Sequence, residues 1–188
     1  MYEVELKVQV SDVELLRIKR YLEGMGALRE GSVVQVDDYF DTPDRVLYSR
    51  DSALRVRKQD EVVEVTYKGK RVSNKSKTRS ELVARVNNAR SMEEVLETCG
   101  LVKVATVIKR REVYRVRDIK VSLDTVEGLG SFVELEASAR DEAGVKLKEE
   151  ILYLLLEELG LRHRRPILSS YLELILEKRG EHVPSNSG

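Results

Sequence analysis

The sequence predicts an α+β protein: a closed eight-stranded antiparallel β-barrel with helices packed on its outside. Three observations predict it. Eight short segments alternate apolar and charged residues with the period of two that a strand requires. Most follow one another through turns too short to hold the crossover helix that a parallel sheet needs. Eight strands are also a number at which a sheet can close on itself and lose its exposed edges.

The first strand is Met1 to Val10, with Glu3, Glu5 and Lys7 on one face and Val4, Leu6 and Val8 on the other. Ser11 offers an N-cap, and Val13, Leu15, Leu16, Ile18, Tyr21 and Leu22 recur at helical spacing, so a helix is expected over 12–24. Val33 to Phe40 alternates as the second strand and stops at Asp41-Thr-Pro-Asp44, a turn signal. A short helical turn is expected over 45–51. The third and fourth strands, 53–57 and 62–68, flank a turn at Asp60-Glu61. The polar, basic stretch from Gly69 to Lys77 reads as a flexible loop before the fifth strand, 78–86. Ser91 is expected to cap a helix over 92–98 that stops at Gly100. Strands over 104–117 and 119–126 share a tight turn at Asp118, and Glu127-Gly-Leu-Gly130 leads into the eighth, 131–138. Two helices close the chain, 141–159 and 166–178, joined at Gly160, with Pro166 in the first turn of the second. One domain is expected over 1–178, followed by a disordered polar tail over 179–188.

The polar faces of these strands differ from one another. They carry Glu3, Glu5 and Lys7; Arg55 and Arg57; Thr66 and Lys68; Arg79, Glu81 and Arg85; Lys109 and Arg111; Lys120, Ser122 and Asp124; Glu134 and Glu136. Two arrangements meet this pattern. In an open sheet these faces look into water and their ion pairs are worth little. In a closed sheet they face one another, and burying them demands mutual pairing or a ligand with charge of both signs. Guanidinium and ammonium groups suit a polyphosphate, and clustered carboxylates suit a hard divalent cation such as Mg²⁺ or Mn²⁺.

Composition limits the function. The 188 residues carry 33 basic and 33 acidic side chains, a net charge of zero, so nothing global favours nucleic acid or an anionic membrane surface. No stretch has the length and apolarity of a membrane helix, and Glu3 and Glu5 open the chain unlike a secretory signal, so a cytoplasmic location is expected. Cys99 is the only cysteine, which excludes an internal disulfide; it is expected to pack as a small hydrophobe. The apolar faces of the C-terminal helices leave room for a homodimer.

Glu3-Val-Glu-Leu-Lys7 matches an ExExK signature, a common pattern when alone. Here it is followed in order by Asp38-Tyr-Phe-Asp41, Ala53-Leu-Arg-Val-Arg57, Thr66-Tyr-Lys-Gly69, Arg79-Ser-Glu81, Lys109-Arg-Arg111, Leu123-Asp124, Gly128-Leu-Gly-Ser-Phe-Val-Glu-Leu-Glu136 and Ser170-Tyr-Leu-Glu-Leu174. The ordered set resembles the CYTH superfamily, the triphosphate tunnel metalloenzymes, and within it the CyaB-like class IV adenylyl cyclases. The resemblance implies a tunnel-like barrel and a nucleoside or inorganic triphosphate bound by Lys7, Arg55, Arg57, Lys68, Arg79, Lys109 and Arg111. It implies Mg²⁺ or Mn²⁺ held by Glu3, Glu5, Asp124, Glu134 and Glu136, and a catalytic role for Glu3, Glu5, Lys7 and Arg111. Two positions depart from branches of the superfamily. Ala53 stands where thiamine triphosphatases carry a stacking Trp, and this chain has no Trp, which speaks against thiamine triphosphate. Val34-Gln-Val36 stands where bacterial class IV cyclases carry an HFQ-like segment. Three functions follow as expectations: conversion of ATP to cyclic AMP and pyrophosphate, hydrolysis of a triphosphate, and non-catalytic binding of a nucleotide or polyphosphate.

Overall fold

The structure is a computed structural model that describes residues 2–71, 76 and 78–181. Most of the loop expected between the fourth and fifth strands, and all but the first residues of the expected tail, lie outside the described residues. The eight strands are β1 (Tyr2–Val10), β2 (Leu28–Asp41), β3 (Ala53–Gln59), β4 (Val62–Arg71), β5 (Arg79–Val86), β6 (Val102–Val116), β7 (Ile119–Val126) and β8 (Gly130–Ala139). They form a closed antiparallel barrel in the order β1-β5-β4-β3-β2-β6-β7-β8. The helices are α1 (Asp12–Gly24), α2 (Val46–Ser49), α3 (Ala89–Thr98), α4 (Glu142–Glu158) and α5 (Tyr171–Lys178). No described helix is long and apolar enough to cross a membrane.

The chain divides into two compact units. The described residues of the first are 2–34, 71, 76, 78–80 and 109–168. Its core is made by one face of β1, β7 and β8, through Val4, Leu6, Val8, Val121, Leu123, Val133 and Leu135. Against this face pack Ile18 and Leu22 of α1 and Leu152, Leu155 and Leu156 of α4. Helix α1 starts where the sequence places it, because Ser11 and Glu14 form a reciprocal capping box that satisfies two backbone donors. Helix α4 begins after Asp141, whose carboxylate accepts from Gly144 N, and ends at Gly160, where φ of +73° favours glycine.

The described residues of the second unit are 35–70, 81–108 and 169–181. Its smaller core joins Phe40, Val56 and Leu96, flanked by Leu54, Val63, Val65 and Met92, and α3 covers β3. Asp41 ends β2 and builds the next turn, accepting backbone donors from Thr42, Leu47 and Tyr48 at 2.7–2.9 Å.

Four local expectations are corrected. Strand β2 begins at Leu28, before the expected Val33, with Gly31 at φ +148° relieving the backbone in a stretch that does not alternate. Asn88, not Ser91, caps α3; its side chain accepts from Ser91 N, so the helix starts at Ala89. Helix α5 starts at Tyr171, not Pro166, because Ser170 and Glu173 close a second capping box. Before it, Ile167 N donates to Lys7 O at 2.7 Å, which holds that stretch extended beside β1. Cys99 is exposed at the end of α3 and is not part of a core.

Candidate active site

In the first unit the antiparallel register lines up the polar face row by row. Glu5 stands opposite Glu136, and Glu136 opposite Lys120. Two residues along, Lys7 stands opposite Glu134, and Glu134 opposite Ser122. In the next row Phe132 faces Asp124, and Asp124 faces Arg111. On the other side of β1, Glu3 is in register with Arg79 of β5. Alternation within strands and register between them thus bring Glu3, Glu5, Lys7, Arg79, Arg111, Asp124, Glu134 and Glu136 to one face of the unit.

Most of that face is buried, with Glu3 and Glu136 half-buried. Lys7 is 1% exposed, Asp124 0% and Arg111 4%. An open sheet would leave such side chains in water, so the open arrangement is excluded here. The burial is matched by pairing: Arg111 donates to Asp124 through Nε at 2.7 Å and Nη2 at 2.5 Å, and Nη2 also reaches Glu134. This bidentate fork fixes the guanidinium plane. Lys120 donates to Glu136 at 2.6 Å. The Glu136 carboxyl is nonetheless pushed up, chiefly by burial, then by the charge of Glu3, with Glu5 adding to it and Lys120 opposing. Three carboxylates therefore crowd one neighbourhood, and oxygen-only donors of this kind suit a hard divalent cation. Among the described residues, no three Asp, Glu, His or Cys side chains are placed close enough together to hold a metal ion as they stand. Lys109 is buried on β6.

The second unit carries a parallel set of rows. Asp37 stands opposite Arg57, and Tyr39 opposite Arg55, which faces Thr66. Arg57 makes a two-point pair with Asp37, Nε–Oδ1 2.6 Å and Nη2–Oδ2 2.7 Å. Arg55 donates to Thr66 Oγ1 at 3.2 Å, and Lys68 pairs with Glu81. Arg85 is exposed and pairs at 3.2 Å with Glu64, which alternates onto the same face of β4 as Thr66 and Lys68.

Sequence reasoning missed Asp37, which is 0% exposed, and Phe132, which shares the polar face of β8. Asp37 lies two residues before Tyr39 and four before Asp41, so the alternation of β2 would have found it. Phe132 carries no polar signal at all.

The described geometry matches known proteins across nearly the whole chain. The CYTH domain pattern matches residues 1–171. A Methanocaldococcus jannaschii protein named "Putative adenylate cyclase MJ0240" is 37% identical over 93% of this chain and 98% of its own length. The protein named adenylate cyclase CyaB from Aeromonas hydrophila is 30% identical over 98% of this chain and 95% of its own. Among solved structures, the PH1819 protein of Pyrococcus horikoshii is 33% identical, with a TM-score of 0.85 over 94% of this chain and 99% of that one. The chain belongs to the CYTH domain family.

Proposed function

We propose that this chain is a divalent-metal-dependent enzyme acting on a nucleoside triphosphate, and that it converts ATP to cyclic AMP and pyrophosphate. The observation that carries the reading is Arg111 forked onto two buried carboxylates, Asp124 and Glu134, on a face that also buries Lys7 and Glu5. A simple anion binder gains nothing from burying carboxylates, each of which costs several kcal/mol unless a cation answers it. A site for a metal–polyphosphate pair needs both signs. The names of two relatives, at 37% and 30% identity, support cyclisation as the reaction.

Glu3, Glu5, Asp124, Glu134 and Glu136 would hold Mg²⁺ or Mn²⁺. When bound, such an ion polarises phosphoryl oxygens and lowers the pKa of an attacking hydroxyl or water. The protein's own part is positioning and charge. Lys7, Arg79, Lys109 and Arg111 neutralise phosphoryl oxygens, and Asp124 and Glu134 keep the Arg111 fork oriented. Burial strengthens each of these interactions by excluding water. In the second unit Arg55, Arg57 and Lys68 are proposed as phosphate-binding cations, with Asp37 and Glu81 holding two of them in place. In cyclisation the ribose 3′-oxygen bonds to the α-phosphorus as it gives up its proton, the bond to the bridging oxygen breaks, and pyrophosphate leaves.

The test is incubation with ATP, GTP or tripolyphosphate, with and without Mg²⁺ or Mn²⁺, reading cyclic AMP, pyrophosphate and phosphate. Cyclic AMP and pyrophosphate are expected in equal amounts from ATP, and only with metal. Phosphate without cyclic AMP would make hydrolysis the reaction, since the same groups serve water attacking the terminal phosphorus. If no product forms, and Glu3→Ala and Glu5→Ala variants bind tripolyphosphate as tightly as the parent, the chain is a binding protein.

A further inference from the structure

Helix α4 carries a charged residue where its pattern calls for an apolar one. Val145, Leu152 and Leu156 are buried on one stripe of the helix, and Glu149 occupies the same stripe at the i+4 position from Val145. Glu149 is 7% exposed. A carboxylate in that place costs stability unless donors reach it. One donor comes from a distant part of the unit: Ser76 Oγ donates to Glu149 Oε1 at 2.6 Å. Ser76 Oγ also lies 2.6 Å from Thr78 Oγ1. Because a carboxylate can only accept, Ser76 spends its proton on Glu149, and Thr78 donates to Ser76. Both hydroxyl residues are 0% exposed. A directed chain, Thr78 to Ser76 to Glu149, therefore runs from the start of β5 to the middle of α4.

Thr78 adjoins Arg79, the first residue of β5, which stands in register with Glu3. On the other side of the same connection, Arg71 Nη1 donates to Leu168 O at 3.1 Å. The described ends of this connection are thus both fastened within the first unit, and the fastening nearer to the site is one residue from a buried arginine. Arg79 is 5% exposed. Among the described residues, the β1 and β5 register pairs Tyr2 with Ser80 and Glu3 with Arg79.

We infer that Glu149 is a positioning residue: through Ser76 and Thr78 it sets where Arg79 presents its guanidinium to a phosphate. The inference rests on the proposed function, in which Arg79 contacts the substrate. It differs from a purely structural role because Glu149 acts through one residue of the site. Loss of a buried acceptor and its chain of hydroxyls is enough to shift a side chain that must meet its ligand to within a fraction of an ångström.

The test is a double-mutant cycle on the full chain with Arg79→Ala and Glu149→Leu, reading KM and kcat with metal–ATP and tripolyphosphate affinity by calorimetry. Glu149→Leu is expected to raise KM and weaken tripolyphosphate about tenfold with kcat changed far less, and the double variant to bind no worse than Arg79→Ala alone. Glu149→Gln, whose amide oxygen still accepts from Ser76, is expected to stay within about twofold of the parent. Two results overturn the inference: Glu149→Leu binding as the parent does, or its effect multiplying with that of Arg79→Ala. Circular dichroism and thermal unfolding of Glu149→Leu separate misplacement from misfolding, and if that variant does not fold, Ser76→Ala with Arg79→Ala completes the same cycle. A parent chain that binds neither ATP nor tripolyphosphate refutes the proposed function itself, and the inference with it.

Discussion

Arg111 answers two buried carboxylates at once, so its removal has a cost that can be stated. Arg111→Leu takes the guanidinium fork away from the buried Asp124 and Glu134, and breaking a buried pair in this way costs about 3–5 kcal/mol. If those carboxylates also hold a divalent ion, Mn²⁺ should restore part of the loss. The expected outcome is a variant unfolding at lower urea than the parent, with a larger upward shift on adding Mn²⁺ than the parent shows. An equal shift in both proteins would detach Asp124 and Glu134 from the metal. At the surface, Glu14 supplies a pH-dependent contribution. Hydrogen bonds from Arg164 and then Ser11 lower its carboxyl from 4.5 to about 2. A depressed carboxylate stabilises the fold fully above the unfolded value, near 4.5, and the contribution is lost as pH falls toward 2. Solvent screening of the partly exposed Arg164 reduces this to about 1 kcal/mol. Glu14→Gln should therefore be less stable than the parent near neutral pH, and the gap should narrow below about pH 4.5 and be mostly lost as pH falls to about 2 in urea titrations. A gap that stays constant with pH would mean that the charge of Glu14 is not the cause.

Elements were legible in the sequence wherever one local signal decided them. Strand β1 alternates without interruption, as do residues 54–57 of β3 and 119–124 of β7, and α1 has its whole capping box within four residues. The misreadings occurred where two local signals competed. Pro166 is a good first-turn residue, but the stretch after it is committed to β1 through the Ile167 bond to Lys7 O, and Ser170 with Glu173 captures the helix start. Asn88 and Ser91 are both acceptable caps, and the packing of Ala89 and Met92 against the Phe40, Val56 and Leu96 cluster favours the earlier one. For the site, the residues that alternate on strands could be read, whereas Glu149 could not. Its partner Ser76 lies 73 residues away, and only the fold brings them together. The corrected boundary of α5 has a measurable consequence. Ser170→Ala should cost about 1 kcal/mol, whereas Pro166→Ala, outside the helix, should fall within about 0.5 kcal/mol of the parent. Chemical denaturation of the two variants checks this, and the reverse order would return the helix start to Pro166.

At the scale of the whole chain, a net charge of zero hides an uneven placement: many of the charges that balance are buried. Lys7, Arg79, Lys109 and Arg111 share a unit with Glu3, Glu5, Asp124, Glu134 and Glu136, and some of the like charges are close enough to raise Glu136. A polyphosphate alone relieves the cations but meets the carboxylates, and a divalent ion alone does the opposite. Each ligand therefore lowers the electrostatic cost of binding the other, and the two should bind with positive coupling. A ligand at a hundredfold excess over its Kd adds about 2.7 kcal/mol to the folded state, which in a chain of this size raises Tm by roughly 5–10 °C. Scanning calorimetry of the chain alone, with tripolyphosphate, with Mn²⁺ and with both should show a joint shift clearly larger than the sum of the separate ones. Glu5→Gln should shrink that excess by weakening the response to metal, while Arg79→Ala should shrink it by weakening the response to tripolyphosphate. Strictly additive shifts in the parent would mean that the acids and the bases serve separate ligands, and the metal–triphosphate reading would fall with them.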